Sequence, residues 1–155
     1  MPSTSRLLVV AALLAGVAVY ASLESSAATG PGFIRITDRQ FGYTRVDVGP
    51  RGLSPGDQEI IFDLLFNTRI TRKPIGSARF LCTFMGGTTR TCTATFSLPK
   101  GELVASGTVH YRQFYDLAIV GGTRLYNDAR GTLTIIRTTS APRPIREQLY
   151  FRLAG

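Results

Sequence analysis

The sequence predicts an exported all-β domain, and three observations carry that expectation. Short β-rich runs alternate with Gly- and Pro-containing turns from Phe33 onward. No helical periodicity persists across those runs. Ahead of them, the chain opens with the layout of a secretory signal. A chain of about eight short strands with no helix long enough to cover a sheet buries its apolar faces sheet on sheet or by closing into a barrel. Closure also removes exposed edges.

The export signal has three parts. Arg6 supplies the positive start, residues 7–19 form an apolar run broken only by Gly16, and Ser26 and Ala28 provide small residues at −3 and −1 of a cleavage site. A membrane anchor needs about 20 apolar residues, and this run has about 13. No Cys lies near the cleavage region, which argues against a lipoprotein anchor, and cleavage after Ala21 is a second possibility. The expected division is a signal peptide over 1–28 and one domain over 29–155, in a protein released outside the cell.

Within that domain the first run, 33–48, is interrupted at Gly42 and ends at the breakers Gly49-Pro50-Arg51-Gly52 and Ser54-Pro55-Gly56-Asp57. In 58–67, Ile60, Phe62, Leu64 and Phe66 face one way, and Glu59, Ile61, Asp63, Leu65 and Asn67 the other. Runs 75–85 and 91–98 form a hairpin through Gly86-Gly87-Thr88, and Pro99-Lys100-Gly101 turns into 102–112. A brief strand at 118–120 precedes Gly121-Gly122-Thr123 and a helical turn around 125–129. Runs 132–139 and 145–153, separated by the Pro142/Pro144 turn, close the chain.

Composition narrows the chemistry. The net charge of +8 survives removal of the signal, which takes away Arg6 and Glu24. The cations are almost all Arg, scattered singly without a basic run, so the excess suits an anionic cell-envelope surface better than nucleic acid. His110 is the only histidine, which excludes multi-His metal sites, and no metal is expected. It alternates with Thr108 and Ser106 on what reads as a solvated face, with a general-base role as the alternative. No Gly-x-Ser-x-Gly elbow, P-loop or His-Glu-x-x-His occurs. Cys82 and Cys92 read as a disulfide across the hairpin in an oxidising compartment, with a catalytic thiol as the alternative.

Several motifs resemble the allene oxide cyclase and dirigent-like superfamily. Gly56-Asp57, Phe62, Leu65 and Ile75-Gly76-Ser77-Ala78 resemble its first barrel strands. Cys92, Phe96, Leu98-Pro99, Gly101, Leu103 and Gly107 are similar to its hairpin around a Pro-x-Gly turn. Ala118-Ile119-Val120-Gly121-Gly122-Thr123, Tyr126, Ala129 and Gly131 resemble its glycine signature. Arg124 departs from it, since plant members usually carry Gly there, and the plant N-terminal pattern is missing, so the chain looks like a bacterial-type relative. The expected role of Gly121 and Gly122 is to adopt backbone angles closed to other residues. Tyr126 is expected to fill the space beneath that turn.

The resemblance implies an eight-stranded antiparallel, calycin-type barrel, often trimeric in plant relatives, whose cavity opens at one end. It also implies activity without metal or organic cofactor, by steering cyclisation or coupling of a reactive organic substrate. The physical logic is confinement of a flexible substrate away from water. By the family's use of a carboxylate and an amide, Glu59, Asp63 and Asn67 are the first catalytic candidates. The alternative makes them a polar outer face, because the row Ile60, Phe62, Leu64 and Phe66 is the more natural lumen lining. Arg79 is a candidate to pair with Asp63 or to receive an anionic substrate group, with a surface ion pair as its plainer use. Tyr111 and Tyr115, beside Asp116 at a strand end, are ligand-binding candidates or ordinary rim packing. Two classes of function follow. One is a barrel that binds a hydrophobic small molecule without chemistry, with a homo-oligomer, trimer or dimer, as a possible assembly; the other is a cofactor-free isomerase, cyclase or stereochemical guide.

Overall fold

A computed structural model describes residues 32–71, 73–110, 114–139 and 144–154. The signal segment, Tyr111 and Pro142 lie outside the described residues. Eight strands follow in chain order: β1 (Phe33–Val46), β2 (Gln58–Phe66), β3 (Gly76–Gly86), β4 (Thr89–Leu98), β5 (Gly101–His110), β6 (Phe114–Gly122), β7 (Arg130–Thr139) and β8 (Arg146–Ala154). Each pairs antiparallel with its neighbour in sequence, and β1 pairs with β8, so the sheet closes into a barrel. Of the two architectures open to the sequence, the barrel is the one adopted.

Most elements fall where the turn residues put them. The largest difference is β6, which begins at Phe114 rather than near Ala118. Its first residues pair with β7 through Phe114–Ile136 and Tyr115–Ile135, and tertiary pairing sets that extent where local alternation is weak. The interruption expected at Gly42 is a register shift between Gln40 and Gly42 in the pairing with β2. The helical turn is a single 3-10 turn, Arg124–Tyr126.

The glycine signature works differently from expectation. Gly121 and Gly122 are absent from the residues with positive φ. Gly122 is needed for space, because a Cβ there would stand 2.3 Å from the Tyr126 carbonyl oxygen and 2.7 Å from that of Glu102. The left-handed backbone falls instead on Arg124, at φ 54°. Tyr126 is buried against the core, as anticipated.

The lumen is packed over much of its length. Phe80, Phe96 and Phe151 meet edge to face, with centroids 5.5 and 5.0 Å apart. Leu103, Leu117, Leu133, Ile135 and Leu149 fill the space around them with no solvent exposure beyond 1%. The Cys82–Cys92 disulfide is present, joining directly opposed residues of β3 and β4 and burying both sulfurs in the same core.

The facing of β2 reverses the preferred assignment. Glu59, Asp63 and Leu65 are buried, whereas Ile60, Phe62 and Leu64 are only partly so, on the outer surface. Two compensations make the reversal possible. The outer row is covered by neighbouring side chains: Arg39 stacks over Phe66, and Arg79 and Phe41 over Phe62. Of the inward acids, Glu59 meets an arginine, Arg90, which the alternation of one strand does not reveal.

Candidate functional site

Two acidic groups project into the barrel from β2. Glu59 is clamped by Arg90 of β4, whose Nε and Nη2 donate to Oε2 at 2.6 Å and Oε1 at 3.2 Å. Tyr43 of β1 donates to the same Oε1 at 3.0 Å, and the Arg90 guanidinium lies over the Phe84 ring. Glu59 is thus fully engaged in a structural clamp.

Asp63, further along the same face of β2, has different neighbours. It lines a small chamber with Asp38 and Gln40 of β1, Ile61, Phe80, Tyr115 of β6, Arg137 of β7, Ile145 and Glu147 of β8. The chamber holds about 20 Å³, room for one water-sized group. Ile145 belongs to the β7–β8 connection, which places the chamber toward that end of the barrel. Register explains the convergence: Asp38 pairs with Glu147 across β1–β8, and Glu147 with Arg137 across β7–β8.

The three carboxyls are held differently. Glu147 accepts from Arg137 Nε at 3.1 Å and from the Tyr115 hydroxyl at 3.4 Å. Burial pushes its carboxyl up, against the pull of the Arg137 charge and these hydrogen bonds. Asp38 is 1% exposed; its Oδ1 accepts the Glu147 backbone N–H at 2.8 Å, and its Oδ2 has no hydrogen-bond partner among the described residues. Burial, then the charges of Asp63 and Glu147, hold its carboxyl well above the usual range. Asp63 is pushed up to about 7, by burial first and by Glu147 second. A buried carboxyl that titrates near neutrality can both give and take a proton.

The remaining candidates lie elsewhere. Asn67 falls past the end of β2 and is exposed, because the strand stops at Phe66 and the alternation that aligned it with Asp63 stops too. Arg79 does not pair with Asp63; it points outward, with its guanidinium 5.2 Å from the Phe62 ring centroid, since Ala78 is the residue opposite Asp63. Tyr115 reaches the chamber through Glu147, whereas Tyr111 lies outside the described residues. Asp116 faces outward and accepts from Thr134, and His110 is exposed beside Thr89. Sequence reasoning missed Asp38, Arg137 and Glu147. Their signal is faint: each is a charged residue at an inward position of an alternating strand, visible only once the facing is known.

Two larger concavities among the described residues lie away from the chamber. One of about 440 Å³ runs beside Phe41, Phe62 and Arg79, and one of about 770 Å³ lies beside Phe33, Leu98 and Tyr126. Among the described residues, no group of three or more His, Cys, Asp and Glu side chains is placed to hold a metal ion.

No protein-family model and no curated protein matches this sequence. Solved structures do. A pyocyanin demethylase is 24% identical, with a TM-score of 0.65, over 79% of this chain and 99% of that one. A pterocarpan synthase dirigent protein is 15% identical, with a TM-score of 0.62, over 79% of this chain and 86% of that one. A Diels-Alderase from Streptomyces koyangensis is 16% identical, with a TM-score of 0.61, over 79% of this chain and 64% of that one. The chain therefore has the eight-stranded barrel of dirigent proteins and Diels-Alderases, and the resemblance read from its motifs holds at the level of fold.

Proposed function

We propose that this barrel binds a small organic molecule over the carboxyl chamber and moves a proton on it through Asp63, without a resident cofactor. The observation that carries this reading is Asp63 itself, a buried carboxyl poised at about 7 between Asp38 and Glu147. Its inward position favours acid–base chemistry over the inert apolar lining expected from β2. The shared fold adds support, since structures of the same barrel are described as a Diels-Alderase and as a cyclase catalysing a [4 + 2] cycloaddition.

A neutral probe tests proton transfer directly. In 5-nitrobenzisoxazole, a carboxylate removes the ring C–H proton as the N–O bond breaks, releasing a coloured phenolate. The expected profile rises with a midpoint near the Asp63 value of about 7. Asp63→Asn lowers the rate at least about tenfold. A rate indifferent to that substitution removes the reading. Binding without turnover is the second reading, favoured by the packed lumen and the small chamber. In that case the probe binds, and the rate stays at background.

Export belongs to the same proposal. The buried Cys82–Cys92 disulfide supports an oxidising compartment, and a mature protein beginning at Thr29 would establish it by N-terminal sequencing. The net charge of +8 suits an anionic envelope surface, and the partly exposed outer row of β2 suits self-association as a dimer or trimer. Light scattering of the exported protein reads that state.

A further inference from the structure

The chamber around Asp63 has an excess of negative groups over the cations that line it. Asp38 reaches it from β1, Asp63 from β2 and Glu147 from β8, and among the described lining residues a single guanidinium, Arg137 of β7, faces them. Tyr115 of β6 adds a hydroxyl and Gln40 an amide. Glu59, on the same face of β2, is already neutralised by Arg90. Elsewhere the chain carries a large positive excess, with a net charge of +8. Acid is thus gathered inside a basic protein.

Arg137 is committed to Glu147, so among the described lining residues three acids share the charge of one cation. The Oδ2 atom of Asp38 is buried and lacks a hydrogen-bond partner among the described residues. Buried polar atoms in native proteins are normally paired, so an orphaned acceptor beside a chamber calls for a donor. The walls of the chamber are completed by Ile61, Phe80 and Ile145, so the charges lie against apolar surface, where an uncompensated ion is costly. A metal ion is a poor match, because the acids do not converge as ligands.

We propose that the chamber recognises the head of a small hydrophobic organic cation, a protonated primary amine, whose apolar body lies outside the chamber beside the half-buried Ile61 and Ile145. The volume of about 20 Å³ accepts one ammonium-sized group, which would donate to Asp38 Oδ2 and Asp63 at once. This rests on the reading that ligands bind at the chamber, and it names the class that binds there. A proton and the cation then compete for the same carboxylates, so affinity for the cation rises as pH rises through the titration of Asp63.

The test compares benzylammonium with benzyl alcohol, matched in shape and different in charge, by calorimetry and by methyl NMR of Ile61 and Ile145. Benzylammonium is expected to bind at least about tenfold more tightly at pH 8 than at pH 5.5, while benzyl alcohol shows no such gain. Asp63→Asn is expected to weaken the pH dependence, leaving the part that Asp38 supplies. Equal affinity for the two probes at pH 8, or a benzylammonium affinity that ignores pH in the wild type, overturns the proposal. If benzyl alcohol shifts the Ile61 and Ile145 signals while benzylammonium gains nothing, the chamber remains a ligand site and only the cation preference falls. If neither probe shifts them, both readings fall together.

Discussion

Asp38 accepts the backbone N–H of Glu147 at 2.8 Å through one carboxyl oxygen, and its other oxygen has no partner among the described residues. That contact ties the first strand to the last at the point where three acids meet. It also sets the electrostatics of the chamber, because two buried carboxyls held side by side resist being ionised together.

Stability is expected to fall as pH rises through the titration of Asp63. Its folded-state value of about 7 lies above the ordinary 3.8, so the folded protein holds a proton that the unfolded chain has released. The benefit is full below the unfolded value and is lost as pH rises through the folded one. Asp63→Asn removes this dependence and should stabilise the protein at pH 8 by about 1–3 kcal/mol. Urea denaturation of both forms at pH 5 and pH 8 checks it, and parallel profiles would refute it.

Asp57 acts in the opposite sense. Backbone N–H groups of Ser54 and Val48, and then Arg45, hold its carboxyl well below the usual range. Its contribution is present above the unfolded value and is lost as pH falls below it. Asp57→Asn should therefore lower the melting temperature at pH 7, and the gap to wild type should close below about pH 3.

Arg137 is the cation that permits Glu147 to be buried. Arg137→Met should cost about 3–5 kcal/mol at pH 8 and less at pH 5, because protonation of Glu147 removes the charge that the guanidinium offsets. A loss that is the same at both pH values would show that packing, and not charge, is what the guanidinium supplies.

Backbone strain predicts two opposite effects in the β6–β7 region. Arg124 adopts φ 54°, so Arg124→Gly should stabilise by about 1 kcal/mol, the cost of a left-handed residue with a side chain. Gly131 has φ 142°, and a Cβ there would lie 1.9 Å from the Arg152 carbonyl oxygen. Gly131→Ala should destabilise by about 2 kcal/mol or more, read as a shift in denaturation midpoint.

The disulfide closes a short loop, with a sequence separation of 10. Replacing Cys82 and Cys92 by Ala should cost about 2–3 kcal/mol on the loop-entropy account. Denaturation under oxidising and reducing conditions separates the cross-link from the lost sulfur packing.

The fold was legible because its punctuation is local. Gly86-Gly87, Pro99-Lys100-Gly101 and Gly121-Gly122 mark turns whatever surrounds them. The facing of β2 was not, because either row can line a barrel until its partners are known. Arg79 and Arg39 cover the outward phenylalanines and Arg90 faces the inward Glu59, all from strands other than β2 itself. Asp63 was therefore identifiable as a candidate, whereas Asp38 and Glu147, 109 residues apart, were not. Arg124 was visible as a departure from a glycine pattern, and its positive φ supplies the physical meaning.

The order in which the strands join has a kinetic consequence. Seven of the eight pairings link strands adjacent in sequence, and only β1 with β8 must bring together distant ends, such as Phe33 with Arg152. Closing so long a loop is slow relative to forming hairpins. The Asp38–Glu147 contact lies on that seam, so the chamber is assembled only once β8 has met β1. A nascent or truncated chain can form most of the sheet and still lack the site.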